Sequence, residues 1–255
     1  MPTTSNGMYV EERGDGDKII VLLPGFGCSI AGWRKIADLL EGYRCLLVDL
    51  PGHAGSVGAE AAGDMRRMAA TVFDACVERG LDRFAVAGQS LGGAIGVRIA
   101  LDHPDHVEAL IGVMPWNAAG TSRGDPVIEG FCAAYQDGEA VAAGVEAISQ
   151  LPEKTTDLLA TMPTVTEQMW KGWLDGGAYT SMADELATMS VPTMYLLGGK
   201  DTVVSQDKQL DDIRSIPGSR LVLLADLGHL AVYEAPERVA EDMTAFLRRA
   251  HLAML

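Results

Sequence analysis

The sequence is poor in cysteine, and its few cysteines form no recognisable pattern. They stand at positions 28, 45, 76 and 132, with no CxxC pair and no cluster with histidine. This spacing is typical of reduced, mostly buried thiols in a cytoplasmic protein, and it offers no ligand set for zinc. We therefore expect no metal site.

Basic residues are also scarce. The chain has 20 lysines and arginines against 35 aspartates and glutamates, which gives a formal net charge of −15 at pH 7. Such a charge repels nucleic acid backbones and anionic membrane surfaces. The acidic residues are dispersed along the chain, which argues against a disordered acidic block. Nucleic acid is therefore excluded as an expected partner.

Long apolar runs are absent as well. The longest apolar stretches have 5 to 8 residues, far short of the roughly 20 residues that cross a bilayer. The first seven residues are polar and show neither the basic region nor the apolar region of an export signal. We expect a cytoplasmic protein without a membrane span.

Short apolar runs alternate with amphipathic stretches along most of the 255 residues. Each run is almost continuously hydrophobic, as parallel strands buried on both faces are. The length and this alternation predict one α/β domain with a doubly wound, mostly parallel sheet. Residues 8–12 add an expected antiparallel strand at its edge. The parallel strands are predicted at 18–23, 45–50, 84–87, 109–114, 193–197 and 220–224.

One region breaks this alternation. Residues 116–189 show no convincing strand, and so long an insertion is more than a connector. We interpret it as a helical cap above the carboxyl ends of the strands, on a core formed by residues 1–115 and 190–255. Its predicted helices cover 127–135, 139–150, 153–160, 164–174 and 180–189.

The strongest chemical signal is a G-x-S-x-G motif, formed by residues 88–92 between a predicted strand and a predicted helix. In that context the motif is typical of a nucleophile elbow. Gly88 and Gly92 remove side chains that would collide in a sharp turn, and the turn lifts the Ser90 hydroxyl above the sheet.

A serine hydroxyl needs a base that accepts its proton, and the base needs a partner that fixes its tautomer. Asp201 follows the predicted strand at 193–197, and His229 follows the one at 220–224. The chain order Ser90, Asp201, His229 is the order expected for a triad on such a sheet.

These motifs make the chain resemble the α/β-hydrolase superfamily over nearly its whole length apart from the cap. The resemblance implies a catalytic triad of Ser90, Asp201 and His229. It further implies an oxyanion hole formed by the backbone N–H groups of Phe26 and Leu91. The matching blocks are LLPGFG (22–27), VDLPGHAGS (48–56), GQSLGG (88–93), LLGGKDTVV (196–204) and LGHLAVYEAPERV (227–239).

Two positions depart from the family pattern. Pro24 stands where such enzymes often have histidine, so the loop around it must be braced in another way. Ala54 stands where glycine is usual, which predicts a turn conformation that alanine tolerates. Cys28 near the predicted oxyanion loop is either a second nucleophile or, as we favour, a small buried apolar residue. His53 is interpreted as a structural loop residue.

The leading hypothesis is a cofactor-free serine hydrolase that cleaves carboxylic esters, with lactones and thioesters as related substrates. Trp116 directly follows a predicted strand and is expected to face the cleft, where it would contact an apolar group of a small-molecule substrate. Two alternatives stay open. The same triad serves C–C hydrolysis, lyase or perhydrolase chemistry, or the protein is a ligand receptor that scarcely turns over. The sequence leaves monomer and homodimer both open.

Overall fold

A computed structural model describes residues 2–59 and 61–253. Its seven strands form one sheet with the order β1-β3-β2-β4-β5-β6-β7. β1 pairs antiparallel with β3, and all other neighbours pair in parallel. The predicted fold class is confirmed, including the antiparallel edge strand. The strands are β1 Val10–Arg13, β2 Lys18–Leu23, β3 Tyr43–Val48, β4 Phe84–Gln89, β5 Val107–Val113, β6 Thr193–Gly198 and β7 Arg220–Leu224.

Two strands have the predicted bounds, and the others shift at their ends. β3 ends at Val48 and not at residue 50. Beyond its end, the Asp49 carboxylate accepts the Ile30 N–H at 2.8 Å and the Gly55 N–H at 3.0 Å. These bonds connect the end of β3 to the loop that precedes α1 and to the turn that follows β3.

Helices lie in the connections and in the long insertion. α2 shows why the sequence forms them: the Asp64 side chain caps its first turn by accepting the Arg67 N–H, and its buried residues recur every three to four positions. The helices are α1 Ala31–Leu39, α2 Met65–Glu78, α3 Leu91–Asp102, α4 Pro126–Ala133, α5 Gly138–Ile148, α6 Thr156–Thr161, α7 Glu167–Asp175, α8 Gln206–Ser215, α9 Ala231–Glu234 and α10 Pro236–Ala253. No helix within the described ranges is long and apolar enough to cross a membrane.

Residues 116–189, here called the helical segment, contain α4 to α7 and short 3₁₀ turns, and all of these residues are described. Asp125, Asp137 and Thr166 begin α4, α5 and α7 by accepting backbone N–H groups of the first turn. The helix predicted at 180–189 is wrong, because that stretch forms only the 3₁₀ turn Ala183–Thr188.

Two buried charged side chains attach the helical segment to the sheet domain. Arg98 on α3 is 3% exposed and binds Asp102 and Glu185, with 2.8 Å between Arg98 Nη1 and Glu185 Oε1. Glu234 on α9 is 2% exposed, and its Oε1 accepts the Ser149 hydroxyl at 2.9 Å and the Gln150 N–H at 2.6 Å. The segment is therefore held at both its middle and its end.

Candidate active site

Ser90 sits on a strained turn between β4 and α3. Its backbone has φ +52° and ψ −118°, a conformation that non-glycine residues rarely adopt. A side chain at Gly88 would stand 2.1 Å from the Gly92 carbonyl oxygen, and one at Gly92 would stand 2.3 Å from the Pro24 carbonyl oxygen. Only glycine fits these two positions, which is the backbone requirement of a nucleophile elbow.

Neighbouring backbone holds this turn in place. The Ser90 N–H donates to the Val113 carbonyl at 3.1 Å, and the Ser90 carbonyl accepts the Trp116 N–H at 2.9 Å. Both partners lie at the end of β5 or just beyond it. The strand next to β4 therefore fixes Ser90 and Trp116 relative to each other.

Asp201 and His229 meet where β6 and β7 end. His229 Nδ1 lies 2.9 Å from Asp201 Oδ2, and their side chains are 5% and 0% exposed. The other carboxylate oxygen accepts the N–H groups of Val203 and Val204 at 2.8 and 3.1 Å. Burial by itself would raise the Asp201 pKa, but the His229 charge and hydrogen bond, with the two amides, hold that pKa below its usual value. The carboxylate is thus ionised and oriented toward the imidazole.

The two loops that carry these residues are packed backbone against backbone. The Gly199 N–H donates to the Leu224 carbonyl, and the Lys200 N–H donates to the Leu227 carbonyl, both at 2.9 Å. A side chain at Gly199 would stand 2.3 Å from the Ala225 carbonyl oxygen. Parallel neighbouring strands end at the same edge of the sheet, so this contact brings residues 28 positions apart together.

A third loop, after β2, lies beside the elbow. A side chain at Gly25 would stand 3.2 Å from the Ser90 Cβ, which brings the backbone next to the serine. Leu91 is the first residue of α3, where helix N–H groups lack intrahelical acceptors. The loop containing Phe26 is braced from the helical segment, because the Thr161 hydroxyl donates to the Gly27 carbonyl at 2.9 Å. This is the loop in which Pro24 stands at a position where the family often has histidine.

Ser90 and His229 line one cavity of about 30 Å³ together with Phe26, Leu91 and Trp116. Asp201 stays behind His229 and does not line it. All residues that line the cavity are described, and none of them is Asp, Glu, Lys or Arg. The cavity thus offers one hydroxyl, one imidazole and otherwise mostly apolar walls.

Trp116 has a structural contact besides its place in the cavity wall. It is 6% exposed, and its indole N–H donates to the Ala178 carbonyl at 3.2 Å. Its ring meets Trp173 edge-on with centroids 5.7 Å apart. The residue therefore joins the end of β5 to α7 and the turn that follows it.

Cys28 and His53 are both buried, and burial disfavours the charged form of each side chain. Burial raises the pKa of the Cys28 thiol to about 12, so the thiol stays protonated. Burial lowers the pKa of His53 to about 4, and its Nδ1 faces the Pro51 carbonyl at 2.9 Å. The expectation for Ala54 is wrong, because its φ is +42°, a conformation in which alanine is strained.

Gln89 is a site residue whose role the sequence did not reveal. It is 1% exposed, and its amide nitrogen donates to the His229 backbone carbonyl at 3.1 Å. A side chain at Gly25 would stand 2.5 Å from its amide oxygen. Gln89 therefore contacts the loops of the serine, the histidine and Phe26. Its place within G-x-S-x-G was the only signal, because its partner lies 140 residues away.

The described residues contain no group of three or more His, Cys, Asp or Glu side chains that could hold a metal ion. The four cysteines are free thiols, three of them buried and Cys132 exposed. The cavity is lined by a hydroxyl and by an imidazole that has a buried carboxylate partner.

The sequence pattern described as "Alpha/beta hydrolase family" matches residues 20–242, most of the chain. The chain belongs to the alpha/beta hydrolase family. The match includes the elbow and the loops of Asp201 and His229, and the sheet order agrees with it.

Curated relatives include hydrolases with different substrates. A 2-hydroxy-6-oxononadienedioate/2-hydroxy-6-oxononatrienedioate hydrolase from Pseudomonas sp is 26% identical over 274 residues, which covers 96% of this chain and 93% of the relative. A pimeloyl-[acyl-carrier protein] methyl ester esterase from Proteus mirabilis is 27% identical over 254 residues, covering 93% and 95%. This chain is a hydrolase-family enzyme by these likenesses.

Solved structures agree with the fold. An esterase from Exiguobacterium antarcticum has a TM-score of 0.83 at 22% identity, with 94% of this chain and 95% of that chain covered. An enol-lactonase from Burkholderia xenovorans has a TM-score of 0.80 at 22% identity, covering 95% and 98%. Both likenesses concern the fold alone.

Proposed function

We propose that this protein is a cofactor-free serine hydrolase that cleaves carboxylic esters with an uncharged, apolar group. The observation that carries the proposal is the hydrogen bond of 2.9 Å between His229 Nδ1 and Asp201 Oδ2, with His229 and Ser90 lining the same cavity. This arrangement supports activation of the serine hydroxyl, because the imidazole is held with its other nitrogen free to accept a proton.

In the proposed reaction, the Ser90 oxygen attacks the ester carbonyl while His229 Nε2 takes the hydroxyl proton. The N–H groups of Phe26 and Leu91 stabilise the tetrahedral oxyanion, and the ionised Asp201 stabilises the imidazolium. His229 then gives its proton to the departing alcohol. Water, deprotonated by the same imidazole, releases the carboxylic acid and restores the serine.

The lining of the cavity favours an uncharged substrate. The Pseudomonas relative is named for a dioate, a molecule with two carboxylates. Burying a carboxylate without a cationic partner is costly, and no lysine or arginine lines this cavity, whose residues are all described. The proposal of an ester with an apolar group is therefore favoured over a dicarboxylate substrate cleaved at a C–C bond.

We further propose that the helical segment acts as a cap and that Trp116 contacts the apolar part of the substrate. Ile128, Phe131 and Trp173 of that segment line the cavity together with Ser90, which supports the idea. We propose a cytoplasmic location. The proposed function is compatible with a monomer and with a homodimer.

The test is Ser90→Ala, assayed with activated esters and with a fluorophosphonate label. We expect ester turnover to fall by about 10³–10⁶-fold, since oxyanion stabilisation and binding remain. Labelling should disappear. Ser29→Ala is the matched control, because both serines are 7% exposed and Ser29 does not line the cavity.

Labelling of Cys28 or of another serine in the Ser90→Ala protein would contradict the proposal. A wild-type protein that takes the label but turns over no ester in a broad panel would favour the receptor alternative. Hydrolysis of a C–C bond in preference to ester bonds would favour the alternative of C–C hydrolysis.

A further inference from the structure

The cavity at Ser90 is too small for most esters. Its volume of about 30 Å³ is room for about two water molecules, since each needs roughly 10–15 Å³. Part of a larger substrate must therefore find space elsewhere. A groove of about 250 Å³ lies next to the cavity, between α4 and α5. We call it the α4–α5 groove.

The side chains that line the α4–α5 groove are all nonpolar. In a chain with a net charge of −15, twelve described residues without a charge or a polar side chain form one continuous wall. Contact between such a surface and a hydrocarbon chain is favourable, whereas its exposure to water is unfavourable. The groove residues are Pro126, Val127, Gly130, Phe131, Ala134, Ala140, Val141, Gly144, Val145, Ala147, Ile148 and Met162.

Two glycines inside helices line this groove. Gly130 lies in α4 and Gly144 in α5, and a Cβ placed on either would meet nothing within 4 Å. Glycine inside a helix is less stable than alanine at the same position. Packing does not require glycine at these positions. Gly130 and Gly144 line the groove, so a large side chain at either position has room to extend over it.

The groove and the Ser90 cavity share part of their walls. Phe131, Val145, Ile148 and Met162 line both spaces. Met162 also reaches the loop of Phe26, because a side chain at Gly27 would stand 2.6 Å from the Met162 Cε. The Phe131 ring meets the Phe26 ring edge-on with centroids 5.7 Å apart. Phe131 and Met162 thus lie at the boundary between the two spaces, and methionine adapts its shape readily.

We infer that the α4–α5 groove is a substrate subsite that takes the unbranched hydrocarbon chain of an ester whose carbonyl lies at Ser90. This inference rests on the proposed function and adds the substrate class, namely esters with a medium-length, uncharged alkyl chain. The chain passes between Phe131 and Met162 and covers the nonpolar wall. No lysine, arginine or histidine lines the groove, whose residues are all described, so a chain ending in a carboxylate is disfavoured.

The test measures kcat/KM for 4-nitrophenyl esters from acetyl to octanoyl. In the wild type, we expect a gain of about fourfold for each methylene that enters the groove. Gly144→Phe and, independently, Gly130→Phe fill the groove. Each should lower the octanoyl-to-acetyl ratio by at least about tenfold, with the loss growing with chain length. Ethyl octanoate and octyl acetate then show whether the acyl or the alcohol chain occupies the groove.

Gly138→Phe is the matched control. Gly138 is also on α5 with nothing within 4 Å of an added Cβ, but it does not line the groove. It should keep the wild-type length profile. If both groove variants keep the wild-type dependence of kcat/KM on chain length and still hydrolyse the acetyl ester through Ser90, the groove is not a substrate subsite. The proposed function would be unaffected by that result. Absence of any Ser90-dependent ester hydrolysis in the wild type would instead refute the proposed function.

Discussion

The glycines around Ser90 and the glycines of α4 and α5 occupy opposite kinds of surroundings. A Cβ at Gly88 would stand 2.1 Å from backbone, whereas a Cβ at Gly144 would meet nothing within 4 Å. The first glycine allows two backbone segments to touch, and the second leaves a space unfilled. Glycine thus permits close backbone packing near Ser90, whereas in α4 and α5 it leaves open space.

The same difference extends to the side chains of the two regions. Near Ser90, the positions are fixed by backbone hydrogen bonds and by buried polar side chains such as Gln89 and Asp201. In the helical segment, the walls are apolar side chains, including the flexible Met162. The comparison predicts that substitutions near Ser90 change the rate for all substrates, while substitutions in the helical segment change the preference among them.

The largest effect beyond Ser90 itself is expected from Asp201→Asn. The asparagine oxygen still accepts the Val203 and Val204 N–H groups, but its NH₂ would face His229 Nδ1 and favour the wrong imidazole tautomer. We expect kcat to fall by about 10²–10⁴-fold for short and long esters alike, measured by steady-state kinetics.

Asp125→Asn is the matched control for this substitution. The Asp125 carboxylate also accepts an N–H group two residues ahead, that of Val127, and it begins α4. Asparagine caps a helix about as well as aspartate, so we expect little change in rate or stability. A near-wild-type rate for Asp201→Asn together with a collapse for Asp125→Asn would transfer the role of the acid to Asp125.

A smaller, equally uniform loss is expected from Gln89→Met. The substitution keeps the length of the side chain and removes the donor to the His229 carbonyl. A misplaced imidazole should lower kcat by about tenfold with KM nearly unchanged. The loss of the buried hydrogen bond should also cost about 1–3 kcal/mol of unfolding free energy.

Gln209→Met separates these two effects. Gln209 is 0% exposed and donates to the Pro115 carbonyl at 2.9 Å, but it lies on α8 and does not line the cavity. Both variants should lose comparable stability in urea unfolding, and only Gln89→Met should lose kcat. Equal losses of kcat would show that Gln89 has a structural role and does not position His229.

The sequence predicted the sheet and the three residues of the proposed triad for one physical reason. Buried parallel strands are short apolar runs, and their carboxyl ends meet at one edge, so residues just beyond them come together. The roles of Gln89 and Glu234 were missed because their hydrogen-bond partners lie 140 and more than 80 residues away in the sequence. Only the packing of the folded chain brings these partners together. The 3₁₀ turn at Ala183–Thr188 was missed because its apolar spacing is also that of an α-helix.

The last prediction concerns stability and not rate, and it involves Asp212, at the junction of the two regions. Its carboxylate on α8 accepts the N–H of Ala118, near the start of the helical segment, at 2.7 Å. Burial raises its pKa to about 6, above its value in the unfolded chain. Between about pH 4 and pH 6 the unfolded chain has lost this proton and the folded chain still holds it. The unfolding free energy therefore falls as pH rises through this window and stays lower above it.

We expect Asp212→Asn to raise the unfolding free energy at pH 7.5 by about 1–3 kcal/mol, because the amide oxygen keeps the Ala118 bond and no buried charge remains. By differential scanning calorimetry this corresponds to a Tm higher by about 2–10 °C at pH 7.5, with little change at pH 4. Asp211→Asn, an exposed neighbour, should shift Tm far less. Destabilisation by Asp212→Asn at both pH values would mean that the junction needs the ionised carboxylate. An ionic contact would then hold the helical segment to the sheet domain at this junction, as one does at Arg98. The junction would in that case be as rigid as the surroundings of Ser90, and only the groove walls would be adaptable.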